Sequence, residues 1–182
     1  MKEKDVLDLE IRNKIYNAIH LSPGMHERQL SRILNIPLST LKYHLNYLEK
    51  KQLILIKYDG HYARYYVIGK HSQLDKIVLG ILRQSASRKI ILFLLSNPDS
   101  HHKDICNHLK LARSTTTFHL NNLLKLGIIT KKQSGRNTIF NIRDKDHIIR
   151  LLISYRDSFF DKTIDKFIDT FLDLNPKYQK EI

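Results

Sequence analysis

The sequence has one cysteine, Cys106, which excludes a disulfide within a single chain and fits a reducing compartment. Residues Met1 to Asp5 include acids and lack the apolar segment of a secretory signal. The longest wholly apolar run, Ile90 to Leu95, is far shorter than the ~18 residues that a membrane-spanning helix needs. We therefore expect a soluble protein of the cytoplasm with no membrane partner.

The signatures of catalysis are also missing, since there is no glycine-rich phosphate loop, no nucleophile elbow and no isolated carboxylate pair. We therefore expect no enzyme activity. Acids near the C-terminus recur every four residues, which predicts one solvated or ion-paired helical face. These acids are Asp157, Asp161, Asp165, Asp169 and Asp173.

Ten histidines raise the question of a metal site, and Cys106 follows His102 by four residues, on one face of a predicted helix. Soft-metal sites usually need several thiolates, however, and this sequence has only one. We interpret Cys106 as a small buried side chain and expect neither a metal nor another cofactor.

Acidic side chains are scarce, because 18 Asp and Glu against 31 Lys and Arg give a net charge of +13. The excess lies in residues 1–145, with 25 basic and 11 acidic residues, whereas residues 146–182 have 6 and 7. Cations that neutralise phosphates release counterions, so this charge favours a polyanionic partner. The alternative is a lysine-rich surface that only promotes solubility.

An internal repeat organises the chain. Residues 12–60 align with residues 87–135 without a gap, at an offset of 75, and 15 of the 49 positions are identical. Other positions keep their chemistry, as from Tyr43 to Phe118 and from Arg28 to Lys103. Self-similarity at a fixed spacing predicts two copies of one small domain.

Each copy has signals for three helices followed by a β-hairpin. In the first copy, apolar spacing predicts helices over about 9–20 and 26–34 and a third from Leu38, with Leu41 and Leu45 on its buried face. Two β-prone runs around Asp59-Gly60 predict a hairpin, or wing. The second copy repeats this order, with a wing that we expect to be one residue shorter. A further helix over 74–82 is predicted to connect the copies.

Two short helices joined by a tight turn form a helix-turn-helix, whose second helix can lie in the major groove of DNA. Because the leucines face the core, the opposite face is predicted to read bases, with Arg113 suited to guanine and Asn121 to adenine. The alternative is an ordinary polar surface, with Tyr43 and Phe118 packed on neighbouring elements. The predicted reading residues are Ser39, Thr40, Lys42, Tyr43 and Asn46, then Arg113, Ser114, Thr115, Thr117, Phe118 and Asn121.

Phosphate contacts are predicted from cationic side chains at the end of the third helix and on the wings. Such contacts position a protein on DNA without specifying sequence. The residues are Lys50, Lys51 and Lys125 near the helix ends, and His61, Arg64, Lys131, Lys132 and Arg136 on the wings.

The stretch from Ser39 to Lys50 and the wing from Asp59-Gly60 to Tyr65-Tyr66 resemble archaeal winged-helix regulators of the arsenic-repressor-like superfamily. Some of these regulators are similar along nearly the full chain, including a tail like the one from Leu151 to Lys162, and activators of the archaellum operon are similar in layout. The resemblance implies regulation of transcription. The second copy departs from the pattern, with Arg113 for Leu38 and Thr116 for Leu41, so its third helix is expected to sit less firmly or to bind different DNA.

The tail from His147 to Leu174 has apolar residues at steps of three to five, which predicts one amphipathic helix about 40 Å long at ~1.5 Å per residue. We expect this helix to form a two-fold homodimer. The alternative is that it packs against its own domains in a monomer.

The predicted fold is mainly α with small β-hairpins: two tandem winged helix-turn-helix domains plus a long C-terminal helix. We place the first domain at 1–70, a connecting helix at 71–86, the second domain at 87–145 and the amphipathic helix at 146–182. The predicted function is a sequence-specific regulator that binds double-stranded DNA. The rival is an interaction scaffold in a transcription or chromosome complex that reads no bases.

Overall fold

A computed structural model describes residues 3–60, 62–135, 137–176 and 178, and the chain divides into two units, Met1–Gly80 and Ile81–Ile182. Both contain helices followed by an antiparallel hairpin, which confirms the predicted fold class. The first unit contains α1 Glu3–Leu21, α2 Glu27–Leu34, α3 Leu38–Lys50, β1 Ile54–Asp59, β2 Tyr62–Val67 and most of α4 Gln73–Leu82.

Helix α2 is closed by hydrogen bonds at both of its ends. His26 caps α2, because its Nδ1 accepts a bond from the Gln29 amide at 3.4 Å and the Gln29 Oε1 accepts one from the His26 amide at 3.3 Å. At the other end, Asn35 takes a left-handed conformation with φ 53°, which asparagine tolerates well. The core of the first unit contains Ile15, Ile19, Leu30, Leu41, Leu45, Leu48 and Ile54.

The second unit repeats these elements, including a helix after the wing, and adds a 3₁₀ turn and one α-helix. A short strand β3 pairs with β5, so its sheet has three strands instead of two. The elements are α5 Ser85–Ser96, β3 Ser100–His101, α6 His102–Leu109, α7 Arg113–Lys125, β4 Ile129–Ser134, β5 Asn137–Ile142, α8 Lys145–Ser154, a 3₁₀ turn Arg156–Phe159 and α9 Lys162–Leu174.

The two wings have the same length, so the prediction of a shorter second wing was wrong. In the first wing Ile54 pairs with Val67 and Asp59 with Tyr62. In the second, Ile129 pairs with Ile142 and Ser134 with Asn137, each at the offset of 75. The repeat therefore continues without a gap to the ends of β2 and β5.

The tail is not the single helix that the sequence predicts. α8 ends at Ser154, and Phe160 takes a left-handed conformation with φ 50° before α9 begins. Two arginines from the start of the second unit bind the residues of this break. Arg83 donates to the carbonyl and hydroxyl oxygens of Ser158, and Arg88 of α5 donates to the carboxylate of Asp161. The apolar spacing continues across the break, which is why periodicity alone does not reveal it.

Most of the apolar side chains of the tail are buried within the second unit, as in the alternative of packing against its own domain. These side chains include Ile148, Ile149, Leu152, Ile164, Ile168 and Leu172. On the opposite side of α9, Arg156 bonds Asp165 at 3.1 Å and Asp169 at 2.6 Å, so part of the predicted acidic face is ion-paired. The tail thus completes the core of the second unit.

Asp161 also starts α9, because its carboxylate accepts a hydrogen bond from the Thr163 amide at 2.9 Å. Burial raises the pKa of Asp161, but the bonds from Arg88 and Thr163 outweigh it and leave the pKa below its ordinary value. A carboxyl with a depressed folded pKa stabilises the fold above its unfolded pKa of about 3.9, and this stability is lost as the pH falls through the folded pKa.

We expect Asp161→Asn to lower the free energy of unfolding by about 1–3 kcal/mol at neutral pH, because Arg88 loses a charged partner inside the unit. Urea denaturation followed by circular dichroism measures this. The difference from the unaltered chain should shrink below pH 4, where Asp161 itself becomes protonated. Asp173→Asn, an exposed change on the same helix, is the control and should have little effect. Equal effects of the two changes would contradict the role of Asp161.

Candidate nucleic-acid interface

The third helix of each copy, α3 or α7, is here called the recognition helix. On α3, Leu41, Leu45 and Leu48 are buried, and His44 is buried beside them. A helix that buries one face exposes the residues half a turn away. The exposed side chains include the predicted Ser39, Lys42, Tyr43, Asn46 and Lys50, while Thr40 is half-buried.

On α7 the polar face is exposed in the same way, although its core contains a threonine. Thr116 is fully buried at the position of Leu41, and its hydroxyl donates to the Ala112 carbonyl at 3.2 Å. The hydroxyl therefore has a partner inside the helix and can replace an apolar group. The predicted residues Arg113, Ser114, Thr115, Thr117, Phe118, Asn121 and Lys125 are all exposed.

The aromatic residues on the two helices project outward. Tyr43 is 59% exposed and Phe118 is 68% exposed. Each makes an edge contact with the histidine that follows it, with ring centroids 5.0 Å apart for Tyr43 and 5.3 Å for Phe118. The alternative that these aromatics pack into neighbouring elements is therefore not what the structure shows.

A polar contact joins the two helices of each helix-turn-helix at the same pair of positions. In the first unit, Lys42 lies 3.4 Å from Glu27 of α2. In the second, the ring of His102 lies 2.9 Å from the Thr117 hydroxyl, which also donates to the Arg113 carbonyl. Burial lowers the pKa of His102 and the charge of Arg113 lowers it further, which favours the neutral imidazole. Lys42 and Thr117 therefore each already contact one polar side chain of the preceding helix.

The wings place their predicted cations in different environments. Lys131 and Lys132 on β4 are exposed. His61 and Arg136 lie outside the described residues. Near the helix ends, Lys50, Lys51 and Lys125 are exposed as predicted.

Arg64 is the predicted phosphate contact that the structure contradicts. It is 3% exposed, its Nε donates to Asp59 at 2.8 Å, and its Nη1 donates to the Gly24 carbonyl at 2.9 Å. Because the guanidinium is turned inward to these partners, it joins the wing to the loop after α1. The repeat contains a signal for this, since the position matching Arg64 in the second copy is Ile139.

In the second unit, the start of α6, the recognition helix α7 and the wing enclose a cleft of about 680 Å³. The sequence did not predict the lining residues from α6 and β5, which include Lys103, Asn137 and Thr138. The alignment of Arg28 with Lys103 was the available signal for that cation. Among the described residues that line the cleft, four are cationic and none is acidic: Lys103, Arg113, Lys131 and Lys132. Such a surface can accept the oxygens of a phosphate backbone.

The described residues contain no group of three or more His, Cys, Asp or Glu side chains that could hold a metal ion. Cys106 lies 3.4 Å from the ring of His102 and is half-buried. Among the same described residues, no helix is both long and apolar enough to cross a bilayer.

Comparison with protein families gives one match on each copy. A model described as winged helix-turn-helix DNA-binding matches residues 8–54, and one described as bacterial regulatory protein, arsR family, matches residues 85–131. The first segment includes most of α1 and all of α2 and α3, and the second includes α5 to α7. These matches confirm the two predicted helix-turn-helix domains.

Over 144 residues, the chain is 35% identical to an uncharacterized HTH-type transcriptional regulator of Methanocaldococcus jannaschii. The match covers 79% of this chain and 36% of the relative, so the chain spans about a third of that protein's length. Together with the family matches, it confirms the resemblance to archaeal tandem winged-helix regulators. The narrower likeness to activators of the archaellum operon stays a prediction.

Solved structures show weaker likeness. A variant of Lactococcus lactis ZitR is 14% identical, with a TM-score of 0.34 and coverage of 78% of this chain and 86% of that one. The mRNA-binding domain of E. coli elongation factor SelB, in complex with SECIS RNA, is 16% identical, with a TM-score of 0.29 and coverage of 75% and 97%. Because both TM-scores lie below 0.5, neither structure supports an argument about function.

We expect Arg64→Ala to lower the free energy of unfolding by about 3 kcal/mol, because Asp59 and the Gly24 carbonyl lose their common donor. Thermal and urea denaturation of the full chain measure this change. Lys132→Ala, an exposed cation on the other wing, is the control and should alter stability by no more than about 0.5 kcal/mol. A fully stable Arg64→Ala chain would contradict the structural role of Arg64.

Proposed function

We propose that this chain, with a winged helix-turn-helix in each of its two copies, is a regulator of transcription that binds double-stranded DNA. In this proposal α3 and α7 read bases in the major groove, and cations on the wings and helix ends contact phosphates. The observation that carries this proposal is that each family match includes a recognition helix, which has one face buried and a polar face exposed. Such a helix fits the width of the major groove.

The residue types on these helices support base reading. Asn46 and Asn121 occupy the same position in the two copies, and an asparagine amide can pair with the N6 and N7 atoms of adenine. Arg113, at the first turn of α7, has a planar fork of donors suited to guanine. The exposed ring of Phe118 offers apolar contact to a thymine methyl group. These side chains are the ones we propose for specificity.

Selection of bound fragments from random double-stranded DNA tests this function. A regulator should enrich one motif, whereas a scaffold that reads no bases should enrich none. We expect Asn46→Ala with Asn121→Ala to broaden the motif, since each lost pairing with a base removes about 1–3 kcal/mol of discrimination. Lys50→Ala with Lys125→Ala is the matched control and should weaken all fragments evenly, because phosphate contacts carry no sequence information. An unchanged motif in the asparagine variant would refute our assignment of the reading residues.

We further propose that two chains form a homodimer through the C-terminal segment. The proposed contact is on α9 alone and not on the one long helix that the sequence predicts. Phe167, Phe171 and Leu174 follow at steps of four and three on α9, and they line one side of a groove of about 520 Å³. The rings of Phe167 and Phe171 stack with centroids 5.7 Å apart, and Leu174 is 76% exposed. A two-fold axis there would present paired recognition helices to a roughly palindromic site.

Light scattering tests the dimer in the full chain. We expect twice the mass of one chain for the unaltered protein and the mass of one chain for Leu174→Asp, because a charge cannot be buried unpaired at an apolar contact. Leu21→Asp is the control, since Leu21 is similarly exposed but lies on α1, and it should leave the dimer intact. A monomeric unaltered chain, or a dimer that survives Leu174→Asp, would refute this interface.

A further inference from the structure

The cationic cleft of the second unit can be compared with the first unit position by position, because the two copies align at an offset of 75 through both wings. Two of its four cations match apolar residues: Arg113 matches Leu38, and Lys131 matches Ile56. The other two match cations, since Lys103 corresponds to Arg28 and Lys132 to Lys57. Half of the positive charge is therefore absent from the first unit.

Acidic residues remove the rest of the charge there. His102 of the cleft corresponds to Glu27, and Leu124 corresponds to Glu49. With four cations and no acids, the cleft has a charge of +4 when its histidines are neutral. With two cations and two acids, the matching positions of the first unit sum to no net charge, or to +1 when Lys42 is added. Nearby Lys42 is itself ion-paired with Glu27.

The remaining cation on the wing of the first unit is also less available to a ligand. Lys132 is exposed, whereas Lys57 is half-buried. Burial lowers the pKa of Lys57, and the charge of Lys76 lowers it further. The first wing has exposed aromatic rings at two positions where the cleft has side-chain amides, because Tyr58 and Tyr62 match Gln133 and Asn137. The first wing thus offers rings where the second offers polar and charged groups.

Charge over the longer segments follows the same trend. Residues 81–145 contain 12 basic and 3 acidic side chains, a balance of +9. Residues 1–80 contain 13 basic and 8 acidic side chains, a balance of +5. The excess charge that indicates a polyanionic partner is therefore larger in residues 81–145 than in residues 1–80.

We infer that the two copies have diverged in their electrostatic role: Lys103, Lys131 and Lys132 of the cleft form the main site for the DNA phosphate backbone beside the base-reading Arg113, and the matching surface of the first unit adds little to phosphate binding. This inference rests on the proposed function. Each phosphate that a cation neutralises contributes about 0.9 to the slope of log affinity against log salt, so the division of roles is measurable.

Fluorescence anisotropy of the full chain with a mixed-sequence duplex, from about 50 to about 200 mM salt, provides the test. Two variants remove two cations each: Lys131→Gln with Lys132→Gln in the second unit, and Arg28→Gln with Lys57→Gln in the first. We expect the variant of the second unit to reduce the slope by about 2 and to weaken binding at the lower salt concentration by roughly tenfold or more. The variant of the first unit should leave the slope nearly unchanged.

The outcomes separate this inference from the proposed function. Tight, salt-dependent binding by the unaltered chain with equal loss in both variants would overturn the inference while the DNA-binding function stands. A greater loss in the variant of the first unit would also overturn it. Absence of binding by the unaltered chain to any duplex would overturn the proposed function and the inference together. Melting temperatures equal to that of the unaltered chain establish that both variants are folded.

Discussion

Each recognition helix buries one face against the two helices that precede it in its unit, and this packing is the constraint on which the other features depend. In α3 this face consists of three leucines and His44, and in α7 a threonine that bonds its own helix replaces one of the leucines. Once that face is fixed, the rotation of the helix about its axis is fixed. The positions that match between α3 and α7 must therefore point outward in both copies. The exposed asparagine and aromatic side chains are consequences of core packing as much as of any selection for ligands.

Much of the fold could be predicted from the sequence because its main signals are local and occur twice. Leucine spacing, turn residues and β-prone runs place the helices and wings within a few residues. The exposed face of α3 follows from the same spacing. Arg64 could not be placed in this way, because its partners Asp59 and Gly24 are identified only when the wing folds against the loop after α1. The local pattern of the strand is the same whether its arginine faces a ligand or a carbonyl, and only the match with Ile139 of the second copy indicates the inward position.

The tail shows a second limit of periodicity. Apolar residues continue at helical spacing through Phe160, yet the helix is interrupted there, where Arg83 and Arg88 bind Ser158 and Asp161. These partners lie more than 70 residues apart in sequence, and nothing in the local pattern links them. The charges of the tail, which the sequence assigns to a solvated or ion-paired face, are thus partly structural. Contacts between distant residues determined where the helix ends.

The gap-free repeat also bears on where this chain can be divided. Counting 75 residues on from α4 gives positions 148–157, which largely coincide with α8, so the helix after each wing belongs to the repeated module itself. A cut at residue 145 would fall on the first residue of α8 and would strip Ile148 and Leu152 from beneath their neighbours. Fragments meant to isolate the second winged helix should therefore extend to the end of α9. A shorter fragment would report on a damaged core instead of on the surface under study.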